Sequence, residues 1–203
     1  MQKHMYCSTA ITPKMHDIFV QFVLSQKDVT EYIVYLTSLG GIPFAGFNLY
    51  SFIKSRPEKT TVYNMANADS AALQFFLGFK KRFSTPFGTF LIHPTTFSRD
   101  ILPQQYSQFD AKKALQQLEA TEAKTGEIIL AETTARAKTP LTLDQVRQFM
   151  LESHVIGATE ALTLGIIDDI VEPVLPPSDV LYLTEAYLAQ IPMTPSVAAT
   201  SAP

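Results

Sequence analysis

A chain of 203 residues, 46% of them hydrophobic, can bury one sizeable core but is short for two ordinary domains. With 16 Lys and Arg against 19 Asp and Glu its formal net charge is -3, and it carries no basic patch of nucleic-acid size. One cysteine, Cys7, excludes an intramolecular disulfide, and no apolar run approaches the ~18 residues of a membrane-spanning helix.

Residues 5–13 read as a short first strand. Within 14–26, Met15, Ile18, Phe19, Phe22 and Val23 recur at helical spacing and predict a helix. Tyr32 to Leu36 is a short apolar run rich in strand formers, suited to a strand covered on both faces. It ends at the turn Thr37-Ser38-Leu39-Gly40-Gly41, and Phe44 to Ser55 then reads as a helix stopped by Pro57. The unit recurs: Thr60 to Met65 as a strand, Ala66 to Ser70 as a turn, Ala71 to Phe79 as a helix. Lys80-Lys81-Arg82 reads as a solvated turn, and Thr89 to Ile92 as a strand closed by His93-Pro94.

Residues 95–107 are polar and irregular, and 108–135 form a long helical pattern interrupted at Gly126. Thr142, with Gln145 three residues on, has the spacing of a capping box and opens a helix carrying Val146, Phe149 and Met150. Ala158 to Leu164 is a short helix with Gly165 as its C-cap, and Ile166 to Val171 is a last strand. Val180 to Leu188 is a candidate for one more helix, and the Pro-rich stretch from Pro192 to Pro203 is expected to be disordered. Alternating strands and helices argue for an α/β layer with a partly parallel sheet. Sites in such folds form on loops at the carboxyl ends of strands, where Gly40-Gly41 and Ser70 both fall.

Each of these residues has two readings. Ser70, at a strand-to-helix junction, is either a helix N-cap or a nucleophile that needs a base within reach. His93 is either a turn residue before a proline or that base. Gly40-Gly41 either permits a tight turn or bares backbone N–H groups toward a developing oxyanion.

Together the segments resemble the ClpP-type serine protease family, within the wider ClpP/crotonase fold. Tyr35 to Gly41, then Ala45-Gly46 and Tyr50, resembles that family's strand, Ser-Pro-Gly-Gly turn and following helix. Ala68-Asp69-Ser70-Ala71-Ala72 resembles its Ala-Ala-Ser-Met-Gly nucleophile turn. Lys81-Arg82-Phe83, Pro86 and Ile92-His93-Pro94 resemble its Lys-Arg, Pro and Ile-His-Gln-Pro segment. Glu160-Ala161, Gly165 to Asp168 and Ile170 resemble its ending. The resemblance covers residues 5–172 and implies an α/β ClpP/crotonase-like fold of repeated β-β-α/β-α units with a protruding strand-helix handle. It divides the chain into a ClpP-like domain, 1–172, and a Pro-rich, partly disordered extension, 173–203.

The resemblance makes Ser70 the nucleophile and His93 the general base. Its oxyanion donors are the N–H groups of Gly41 and Ala71, with Gly40 the weaker candidate. It implies a peptide substrate, no cofactor and no metal. Leu39 and Ala72 stand where the family has Pro and Gly. The family's catalytic aspartate falls at or near Ser153, so the expected third member is Glu152 beside it, with Asp144 and Asp100 as more distant carboxylates. Without that charge the pair is expected to be slow, since replacing the aspartate of a serine-protease triad by asparagine costs ~10⁴ in turnover.

The family assembles stacked rings through the segment after the histidine, so a homo-oligomer is expected. Only about four residues precede Met5, where the family's loops meet a partner ATPase, which speaks against such a partner. No nucleic acid or membrane is implied. The N-terminus lacks the apolar core of a signal peptide, and with the lone cysteine this points to the cytoplasm. A noncatalytic scaffold subunit and a crotonase-like acyl-CoA enzyme are the alternative readings.

Overall fold

The computed structural model describes residues 1–96 and 107–191. Eight strands form one sheet: β1 (Gln2–Ser8), β2 (Glu31–Ser38), β3 (Lys59–Ala68), β4 (Lys81–Ser84), β5 (Thr89–Ile92), β6 (His154–Gly157), β7 (Asp169–Ile170) and β8 (Val180–Thr184). The main path runs β6-β5-β3-β2-β1-β8, with β4 bridging β3 to β7. All pairs are parallel except β5 with β6. β3 is long enough to serve two neighbours: Thr61–Asn64 pair with β4, and Asn67 pairs with Thr89 of β5. The repeated strand-turn-helix units are thus present, with α1 (Pro13–Ser25), α2 (Pro43–Lys54) and α3 (Ala71–Leu77) as their helices.

The local reasons are ordinary. Thr12 caps α1 by accepting from the Met15 N–H, Pro13 opens the helix, and Met15, Phe19 and Val23 form its buried stripe. Residues 32–36 of β2 are all buried, as a central parallel strand requires. Phe19 and Phe75 meet edge-on at 5.1 Å between the helices. Parallel register places Tyr182, Tyr6, Tyr35, Tyr63 and Phe83 in one row across β8-β1-β2-β3-β4. Tyr35 and Tyr63 stack at 5.5 Å, and Tyr63 and Phe83 at 5.2 Å.

The helix α4 (Gln108–Thr133) runs unbroken through Gly126. A Cβ there would lie 3.3 Å from Leu143, so this glycine allows close packing of α5 (Leu143–Glu152) and does not interrupt the helix. The Thr142/Gln145 capping box forms as the spacing predicts. After α6 (Ala158–Thr163) only Asp169–Ile170 is a strand. Asp168 is drawn out of it by the Arg82 N–H and by an ion pair with Arg136.

Two further expectations change. Lys80-Lys81-Arg82 is not a solvated turn throughout: Arg82 is fully buried in β4, and its Nη2 donates to Glu132 O at 2.7 Å and to Gly165 O at 3.2 Å. Its Nη1 donates to Leu77 O at 3.4 Å. Val180 to Leu188 is not one helix. Its first half is β8, paired with β1, and only α7 (Glu185–Gln190) is helical. Strand pairing across most of the chain's length overrides the local pattern here. The Pro192–Pro203 tail, Asp100, and the strand of the expected handle lie outside the described residues. Among the described residues no helix is long and apolar enough to cross a membrane.

Candidate active site

The carboxyl ends of β2 and β3 meet at one point. The Asp69 N–H donates to Ser38 O at 3.0 Å, which joins the two strand ends. A Cβ on Gly40 would lie only 2.8 Å from the Cβ of Ser70, so the glycine turn and the serine are in direct contact. The turn itself is pinned from below: Ile11 N–H donates to Gly40 O at 2.8 Å, and Ile42 N–H to Ile11 O at 2.8 Å. Gly41 has φ 152, and a Cβ on it would collide with the Ile11 carbonyl oxygen. Its own N–H has no acceptor among the described residues.

Ser70 has φ 54 and ψ -120, a backbone state that only a forced turn imposes on a non-glycine residue. Its hydroxyl caps nothing, which removes the N-cap reading. Instead its N–H donates to Leu91 O at 2.9 Å, tying the turn to β5, two residues before His93. Such a strained strand-to-helix turn thrusts the hydroxyl out of the helix start. Ala71 begins α3, so its N–H has no intrahelical acceptor. Ser70, His93 and Gly41 line one small cavity of about 60 Å³, with Gln74, Thr125 and Ile129 as further walls.

His93 Nδ1 lies 2.7 Å from the carbonyl oxygen of Pro94. That oxygen only accepts, so Nδ1 carries the proton and Nε2 presents its lone pair. The segment beyond is held by Glu122 of α4, which accepts from the Thr95 N–H at 3.0 Å.

Glu152 is not brought to His93. It is exposed at the end of α5, where Gln148 one helical turn earlier donates to it at 2.5 Å. Ser153 ends α5 in a left-handed conformation, φ 53, and is also exposed. The β5–β6 ladder, whose last pair is Ile92–His154, does bring this junction alongside His93. No side chain from it bonds to the ring among the described residues. Asp144 is engaged with Arg147 at the other end of α5. The unexpected groups are the Pro94 carbonyl, which as a backbone atom has no sequence signal, and Asp69. The latter is a carboxylate next to the serine that is only 6% exposed.

A model of the Clp protease family matches residues 1–174. Among solved structures, a point mutant of ClpP1 from Listeria monocytogenes matches with a TM-score of 0.66 at 19% sequence identity. The match covers 84% of this chain and 92% of that one. At that identity the likeness shows the shared α/β fold.

Proposed function

The chain belongs to the Clp protease family, and on that premise we propose that it is a serine peptidase in which Ser70 is the nucleophile and His93 the general base. The observation that carries the reading is Ser70 itself. It is held at φ 54, uncapped, in one cavity with His93 and with the unengaged N–H of Gly41. In the reaction Ser70 Oγ attacks the peptide carbonyl while its proton passes to His93 Nε2. The N–H groups of Gly41 and Ala71 receive the oxyanion. His93 then protonates the leaving amine, and water, activated in turn by the ring, releases the acyl group.

The test is covalent. A fluorophosphonate probe should label the native protein on Ser70, as located by mass spectrometry, and S70A should not label. A native sample that fails to label, or a label carried on another residue, overturns the reading. One observation favours the scaffold alternative: the Nδ1 partner is a carbonyl and not a carboxylate. That geometry fixes the tautomer but leaves the imidazolium without a bonded counter-charge, so slow labelling is expected. A homo-oligomer, in rings like those of the family, is part of the proposal. Its support is α4, whose Phe109 and Leu115 are exposed apolar side chains on the long helix after His93.

Gly41→Ala tests the oxyanion donor. The methyl group would displace the Ile11 carbonyl that holds the turn, and the N–H would leave its direction. Turnover of a fluorogenic peptide should fall about 10²–10³-fold, the cost of losing one oxyanion donor. Turnover like that of the unchanged protein would remove Gly41 from the hole.

A further inference from the structure

Asp69 is one of three described residues, with Gln74 and Arg82, that bury a side-chain polar atom without a hydrogen-bond partner, and it is the carboxylate among them. It is 6% exposed, yet its Oδ1 is buried with no hydrogen-bond partner among the described residues. A buried acceptor left in this way is destabilising, and more so when charged. Local rules broken inside a well-packed fold concentrate where function requires it.

Its position is well defined. The Asp69 N–H is bound by Ser38 O, and its carbonyl accepts the Ala72 N–H at 2.9 Å. The residue is thus locked into the turn that presents Ser70. Ser70 N–H in turn binds Leu91 O, on the strand that ends in His93. Burial raises the Asp69 carboxyl above the usual carboxylate range, while the Leu91 backbone N–H and the charge of the His93 ring pull it back. The turn that holds Asp69 is thus bonded two residues before His93, and among the described residues it is the charge of that ring that acts on the carboxylate. The other carboxylates considered for this role are engaged elsewhere, Glu122 by the Thr95 N–H and Glu152, on the exposed face of α5, by Gln148.

Resting on the peptidase reading, we propose that Asp69 supplies the negative charge that the His93–Pro94 contact lacks. It is a positioning residue that acts through His93 and never touches substrate. When the Ser70 proton moves to Nε2 the ring becomes a cation, and the Asp69 carboxylate, accepting no proton from it, stabilises it across space. The proton later leaves on the amine. A carboxylate that is bonded to Nδ1 in a triad is here replaced by two groups. Pro94 O sets the tautomer, and Asp69 sets the charge.

The experiment compares the unchanged full-length protein, Asp69→Asn and S70A, using the fluorophosphonate probe and a fluorogenic peptide over pH roughly 5 to 9. In Asp69→Asn, kcat and the labelling rate should fall on the order of tenfold to a hundredfold with KM little changed. The acid limb of the rate profile should move to lower pH. The sign for stability is opposite. A carboxyl whose folded value is raised opposes folding once pH rises above its unfolded value, so removing the charge should leave the melting temperature unchanged or higher. Asp69→Ser gives the same split should Asp69→Asn not fold. Rates and pH profile equal to those of the unchanged protein overturn the role of Asp69 alone, as does a rate loss that merely tracks lost stability. If the unchanged protein does not label on Ser70, the peptidase reading falls and takes this role with it.

Discussion

Replacing His93 by glutamine is expected to lower kcat for a peptide substrate on the order of 10⁴-fold or more, with KM nearly unchanged. Glutamine keeps a polar group of similar reach but cannot take and return a proton. Within the cavity lined by Ser70 and Gly41, His93 is the titratable lining residue among the described residues, and none of the others lining it can substitute as a base. The His93 contact with Pro94 O places the proton on Nδ1 and leaves the Nε2 lone pair free. The measurement is a single-turnover acylation rate on folded protein, with circular dichroism as control. A fall of less than tenfold would show that proton transfer to this ring is not part of the rate-determining chemistry.

Arg82→Met is expected to destabilise the fold by about 3–5 kcal/mol in urea titration, without any direct contact to the cavity. The guanidinium donates to Leu77 O, the last residue of α3, to Glu132 O, in the last turn of α4, and to Gly165 O, just after α6. One buried cation therefore closes the carbonyl ends of three helical segments, where the helix dipoles place partial negative charge. Methionine fills similar volume but leaves those carbonyls buried and unpaired. An opposing effect exists: burial pulls the Arg82 guanidinium down to about 10. Holding its charge therefore opposes folding below that pH, a cost that is constant through neutrality. The three acceptors outweigh it because they are backbone atoms that no side-chain substitution removes. A loss below about 1 kcal/mol would mean that water reaches these carbonyls in the variant.

Arg82 also shows where sequence reading reaches its limit. Lys80, Lys81 and Arg82 look alike as a basic run, but Lys80 spreads over the exposed carbonyls of Arg56, Pro57 and Glu58 while Arg82 is sealed inside. What separates them is a set of acceptors scattered over positions 77, 132 and 165, which no local window contains. The first three helices, β2 and β3 were legible because their apolar spacing, Gly40-Gly41 and the flanking prolines all point the same way, whereas the first strand, expected over 5–13, runs over Gln2–Ser8. β6 was not, since His154–Gly157 is four residues with only Ile156 buried. Ser70, His93 and Gly41, which line one cavity, could be singled out from residue type and order. The Nδ1 partner could not, being a main-chain oxygen. Glu152 failed as a candidate for a simple reason: helical spacing aims it at Gln148, on the exposed face of α5.

The C-terminal strand bears on how the molecule comes into being. Glu185, the residue after β8, accepts from Thr9 Oγ1 at 2.5 Å and from the Ala10 N–H at 2.9 Å. The next residue, Ile11, is the one whose backbone pins Gly40 and Ile42. The Gly40-Gly41 turn is thus braced by a contact spanning 175 positions of the chain. During synthesis residues 180–185 arrive long after Ser70 and His93 have left the ribosome, and contacts of such separation close late. A growing chain holds its serine and histidine before it holds the finished brace. The order of translation thereby leaves the Gly40-Gly41 turn without this brace until well after the serine and histidine have been made.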